Sequence, residues 1–201
     1  SCPVDRFAQG QFFDVAGKPA LRKDWNAARA VWVTDTNGNI REASFFGVDD
    51  KPTIRKHGLF ARGEWDYDAN GNELAARYFG TDNEPTLMNS GYASIAYVYD
   101  ARGNKTDERY FGLDGQPILH RESGAAHVRW AYDDLGNFIS TSYLDADGRP
   151  VLRRTTGVAK LGFTYDSKGN ETGTHYFGLD GKPAVNMETG IARFERIRDA
   201  A

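Results

Sequence analysis

Tyr110-Phe-Gly-Leu-Asp-Gly-Gln-Pro117 returns as Tyr143-Leu-Asp-Ala-Asp-Gly-Arg-Pro150 and again as Tyr176-Phe-Gly-Leu-Asp-Gly-Lys-Pro183, and this recurrence decides the fold. Earlier copies begin at Phe12, Phe45 and Tyr78, so the six aromatic anchors are spaced 33, 33, 32, 33 and 33 residues apart. A fixed period of this size marks one supersecondary unit stacked in tandem, because a unit so small cannot bury its apolar face alone. The copies occupy residues 11–43, 44–76, 77–108, 109–141, 142–174 and 175–201, the last one partial. Residues 1–10 match no column of the repeat and read as a linker or N-terminal cap. Residues 11–201 read as a single repeat domain.

Two columns specify turns. Pro19, Pro52, Pro85, Pro117, Pro150 and Pro183 share one position, where a missing N–H ends a strand ladder. Two residues before them stand Gly17, Asp50, Asn83, Gly115, Gly148 and Gly181, the residue types that tolerate positive φ. A second column carries Gly38, Gly71, Gly103, Gly136 and Gly169, each followed by Asn and each preceded three residues earlier by Asp. An Asp that caps its own turn ahead of a left-handed Gly predicts a hairpin on a type I turn with a bulge.

Between the turns, polarity alternates with period two, which argues strand. Ala126, Val128, Trp130 and Tyr132 fall on one face, and His127, Arg129 and Ala131 on the other. Alanine heads the apolar stripe in all six copies, at 28, 61, 93, 126, 159 and 192, and implies close backbone approach. Each repeat is expected to hold two long strands, a short strand after the proline, and two glycine turns. The fold expected is all-β, with hairpin repeats stacked as an open, twisted, solenoid-like sheet. The alternative is a closed propeller-like ring.

The chain has 201 residues, 40% of them apolar, and no apolar stretch near the roughly 18 needed to span a bilayer. Lys+Arg 25 against Asp+Glu 28, net −3 without a basic stripe, disfavours nucleic acid. The single cysteine, Cys2, makes no internal disulfide and no cysteine zinc cluster. Its place in Ser1-Cys2 makes it a candidate lipid-carrying residue of a lipoprotein cleavage site.

The run Tyr67-Asp-Ala-Asn-Gly-Asn72 recurs at Tyr99–Asn104, Tyr132–Asn137 and Tyr165–Asn170, with Thr34 in place of tyrosine in the first copy. YDxxGN followed by an aromatic strand and a DGxP turn resembles the YD repeats of bacterial RHS-type proteins. The resemblance implies a spiralling β-sheet, exported or surface-associated proteins, and an interaction or spacer module. The period here is longer than the family's and very regular. No toxin or self-cleaving core segment is recognisable.

Chemistry is sparse. GxSxG, HExxH and GxxxxGK[ST] do not occur, and His57, His120, His127 and His175 occupy loops or strand columns where other copies carry unrelated residues. The chain is therefore read as no enzyme, and no cofactor is expected beyond a candidate calcium ion. Asp66, Asp68 and Asn70 before Gly71 place oxygen ligands at alternate positions, as calcium loops do, although the same groups also cap hairpins. Trp32, Trp65, Tyr97, Trp130 and Phe163 are equivalent and form a candidate ladder: buried it is core, exposed it could stack sugar rings. The function expected is a non-catalytic scaffold in the bacterial periplasm or on the cell surface, binding a protein partner through its variable loops. A module binding peptidoglycan or polysaccharide is the alternative.

Overall fold

The computed structural model describes residues 5–196. Cys2, and with it the lipid-anchor reading, lies outside them. The fold is all-β. The strands are β1 (Arg6–Gln11), β2 (Arg29–Thr34), β3 (Ile40–Phe46), β4 (Arg62–Tyr67), β5 (Glu73–Phe79), β6 (Ser94–Tyr99), β7 (Lys105–Phe111), β8 (His127–Tyr132), β9 (Phe138–Leu144), β10 (Lys160–Tyr165), β11 (Glu171–Phe177) and β12 (Arg193–Glu195). They pair in chain order with β1 and β12 at the two ends, so the sheet is open and the ring alternative is not adopted. Contacts divide the chain into two units. One comprises the described residues through Ala96 with Phe111–Gln116; the other comprises Tyr97–Tyr110 with the described residues from Pro117 onward.

The hairpins form as the DxxGN column predicts. In the turn between β4 and β5, Asp68 Oδ1 accepts the backbone N–H groups of Asn70 and Asn72 at 2.9 Å, and Oδ2 accepts the Asn72 amide. Gly71 has φ 85°. The register slips by one residue just before the turn, between Asp66 and Tyr67. Asp35, Asp100, Asp133 and Asp166 make the same closure. The tyrosine of the motif ties one repeat to the one before it. Tyr132 and Tyr165 donate their hydroxyls to the carbonyls of Lys105 and Phe138 in the preceding repeat, at 3.2 and 2.7 Å.

One expectation is corrected. No strand follows the prolines; only isolated bridges such as Phe46 to Pro52 and Phe79 to Pro85 remain. The proline supplies no N–H, so the ladder stops there. The segment then folds back through a third left-handed turn, with Asn26, Leu59, Gly91, Gly124, Gly157 and Gly190 all at positive φ. Successive turn segments bond to one another: the N–H groups of Lys56, Arg154 and Met187 donate to the carbonyls of Trp25, Ser123 and Thr156. Arg6–Gln11 spans the end of the expected linker or N-terminal cap and the start of the first copy. These residues form a strand whose register, Gln11 opposite Arg29, repeats that of Ser44 opposite Arg62.

The core lies between the apolar face of the sheet and these turn segments. The alanine column at 28, 61, 93, 126 and 159 is at most 3% exposed. Phe60 lies against Phe45 and Tyr78 at 5.8 and 5.1 Å between centroids. Arg22 and Arg55, one repeat apart, lie over the anchor rings Phe12 and Phe45, and Arg55 also lies over Trp25 and Phe60.

Candidate functional site

The DGxP turns build a recurring notch. In the turn after β3, Gly47 N–H donates to the Lys51 carbonyl and Asp50 N–H to the Gly47 carbonyl, which projects Val48 outward at 56% exposure. The turns after β3, β5 and β11 stand beside the proline and the strand-opening cation of the preceding repeat pair. Notches of about 290, 160 and 230 Å³ result at equivalent positions in three repeat pairs. Their shared columns are proline (Pro19, Pro52, Pro150), a cation (Arg29, Arg62, Lys160), and the turn tip (Val48, Thr81, Leu179).

The cation column differs in its partners. Arg29 bridges Asp50 at 2.7 Å and lies 3.9 Å over the Phe46 ring. Arg62 donates to Asn83 Oδ1 at 2.7 Å, pairs with Glu42 and Glu64, and lies 4.0 Å over Phe79. Asp50 and Asn83 adopt φ of 60° and 65° where other copies have glycine, so an acceptor for the arginine accompanies a strained backbone. Lys160 stands in the same column beside Gly181, is exposed, and makes no ion pair among the described residues.

Titratable groups gather elsewhere into ion pairs. Buried His127 bonds Asp107 at 2.5 Å across β7 and β8, with Arg129 and Arg109 at 3.5 and 3.8 Å from the same carboxylate. Burial alone would raise the Asp107 carboxyl, but the bond and charge of His127, with Thr106 and Arg129, hold it below the usual carboxylate range. Burial lowers His120, which lies 4.8 Å from the Tyr110 ring and receives the Ser123 N–H on Nδ1. His127 sits in a strand column with no motif around it, and only its partner across the strands shows what it does.

The ladder residues Trp32, Trp65, Tyr97, Trp130 and Phe163 are each half-buried. Trp32 contacts Trp25, Trp65 contacts Phe60 and Tyr78, and Phe163 contacts Phe138. Lys105 places its ammonium 4.7 Å from the Tyr97 ring and 4.5 Å from the Trp130 ring. The rings therefore meet neighbours of differing chemistry along the column. Asp66 bridges Arg77 at 2.7 Å, Asp68 closes its hairpin, and Asn70 is exposed. Among the described residues no cluster of three or more His, Cys, Asp or Glu side chains could hold a metal ion.

No protein-family model and no curated protein matches the chain. Among solved structures, it is similar to part of a TcdB2–TccC3–Cdc42 complex, at 12% identity over 73% of this chain and 7% of that one, with a TM-score of 0.33. It is also similar to part of TcdB2–TccC3 without its hypervariable C-terminal region, at 13% identity over 83% of this chain and 10% of that one, with a TM-score of 0.33. The chain thus spans a tenth or less of the proteins it matches.

Proposed function

We propose that the chain is a non-catalytic repeat scaffold of a bacterial envelope or exported protein, and that it binds a protein partner along its row of turn notches. The carrying observation is the recurrence of one notch, built from proline, a cation and a projecting turn residue, at equivalent positions in three repeat pairs. Concavities with one cation each, two of the three mainly apolar, suit side chains of a polypeptide better than a reacting centre. His127 pairs with Asp107 across β7 and β8, and Arg62 pairs with Glu64 along β4 and with Glu42 across β3 and β4. The envelope placement rests on the resemblance of the YDxxGN motif. Among the described residues no helix is long and apolar enough to cross a membrane.

The test is affinity selection of displayed peptides on the wild-type chain, followed by titration against Lys160→Glu and Leu179→Asp. At least tenfold weaker binding by both variants is expected. Peptides that bind both variants undiminished would remove the notches from the site.

Glycan binding is the second reading, favoured by half-exposed Trp65 beside Glu42, Glu64 and Asp66 in an open polar cavity of about 340 Å³. Cosedimentation with peptidoglycan, with calcium and with EDTA, tests it. Saturable binding that Trp65→Ala or Trp130→Ala abolishes without loss of fold would support a ladder site.

A further inference from the structure

We propose that the notch at Lys160 takes an acidic side chain of the partner polypeptide, with a bulky apolar residue next to that acid seated against Pro150, Phe177 and Leu179. This rests on the reading of the notches as a protein-binding row, and it names the chemistry that one of them selects.

Arg29, Arg62 and Lys160 open equivalent strands, opposite Phe46, Phe79 and Phe177. Both arginines have their charge answered from within the chain. Arg29 bridges Asp50, and Arg62 donates to Asn83 Oδ1 and pairs with Glu42 and Glu64. The same positions around Lys160 hold no charge. Asp50 and Asn83 give way to Gly181, two residues before its proline, and Glu64 gives way to Gly162, two residues after the cation. Glu42, opposite Glu64, gives way to Ser140, opposite Gly162. Asp180, the acid of the same turn, is already engaged: it accepts the Lys182 N–H at 3.0 Å and pairs with the Lys182 ammonium at 3.6 Å. Elsewhere in the column Ser94 is uncharged, His127 bonds Asp107 and Arg193 pairs with Glu195. Among the described residues, Lys160 is therefore the one cation of its column without an acceptor.

Beside this ammonium the notch is apolar. Phe177 Cε2 lies 3.1 Å from the place that a Cβ on Gly162 would take, so the ring settles where the second copy has the Glu64 side chain. Leu179 projects from the turn at 55% exposure, and Pro150 faces it across the cavity of about 230 Å³. An apolar side chain entering there displaces water from beside the lysine, and a carboxylate next to it gains from the drier surroundings.

The place for that carboxylate is the one Asp50 takes beside Arg29, 2.7 Å from the guanidinium. There the acceptor is the side chain of a residue within the chain, so the partner's acid is an aspartate or glutamate. The Arg29 notch is followed in its own unit by a further copy of the repeat and stays open, so the next copy is not what fills this position.

Random displayed peptides selected on the full chain test this. The binders are resynthesised with amidated C-termini, so that only side chains carry acid, and titrated by fluorescence anisotropy. Binders that Leu179→Asp weakens are expected to carry Asp or Glu adjacent to a bulky apolar residue. Replacing that acid with its amide should weaken binding to the wild type about tenfold. Gly181→Asp gives this turn the acceptor that Asp50 supplies, at a φ of 73° close to the 60° that Asp50 adopts. It should weaken the acidic peptide about tenfold and leave the affinity of the amide form as it was. Lys160→Gln provides a second measurement that does not depend on that turn: in it the acid and amide peptides should bind alike. Binders that Leu179→Asp weakens but that carry no acid, or whose amide forms bind the wild type equally well, would overturn this inference and leave the row of notches standing. Binders indifferent to Leu179→Asp, or a library without binders, would overturn the reading of the notches and this inference with it.

Discussion

Leu59 shows how a single residue departs from its column. Its φ of 63° lies in the left-handed region, where a branched apolar side chain is disfavoured, and the equivalent residues are Asn26 and four glycines. Asparagine visits this region without glycine's added freedom in the unfolded chain. Leu59→Asn should therefore raise stability by about 0.5–1 kcal/mol, measured by urea denaturation; unchanged or lowered stability would show that the half-exposed Leu59 side chain matters more than its backbone. The signal for this turn stood in the sequence, at Gly91, Gly124, Gly157 and Gly190 with a 33-residue spacing. The non-glycine copies at 26 and 59 obscured it, and without it the post-proline segment reads as a strand. His120 provides a titration at the same scale. Burial lowers its pKa in the fold, so below the ordinary histidine value of about 6.5 the unfolded chain takes up the proton first and stability falls as pH drops. His120→Phe keeps a ring on Tyr110 and should flatten the fall of the thermal midpoint between about pH 7 and 5. An unchanged slope would assign that fall to other groups.

At the scale of the element, the YDxxGN motif combines two functions that only the structure separates. Asp and Asn close the hairpin locally, whereas the tyrosine reaches back one repeat. Tyr165→Phe removes the 2.7 Å bond to the Phe138 carbonyl and leaves the ring in place, so a loss of about 0.5–1.5 kcal/mol is expected. Asp68→Ala should lower the thermal midpoint equally in calcium and in EDTA, because its carboxylate serves the turn; a loss confined to calcium-containing buffer would instead identify a bound ion. The hairpins and their register were legible because turn chemistry is local and its spacing is fixed. The notches and the Asp107–His127 pair were not legible, since both arise from residues about 20 or more positions apart that meet only through strand pairing. Gly63 is a similar case: a Cβ there would lie 2.4 Å from the Trp65 ring, a constraint that no column of the repeat expresses.

Across the whole molecule, every strand pairs only with its neighbours in the chain, and the turn segments bond from one repeat to the next. Stability in such an array is a sum over repeats and their interfaces, so the cost of opening depends on how many interfaces a repeat has. The two ends have fewest. β1 is exposed along most of its length and β12 is three residues long and exposed throughout, whereas β8 and β9 bury His127, Val128, Ser140, Thr141, Tyr143 and Leu144. Amide hydrogen exchange at a concentration where the chain is monomeric should therefore be fastest in β1 and β12 and slowest in the strands of the interior repeats. Protection should fall by opening from the ends and not in one step. Adding a selected peptide at saturation probes the proposed site in the same measurement. Protein binding at the notches would slow the turns at 47–52 and 178–183. Uniform protection across all twelve strands would instead show that the sheet opens as one cooperative body, and would replace the repeat-by-repeat description.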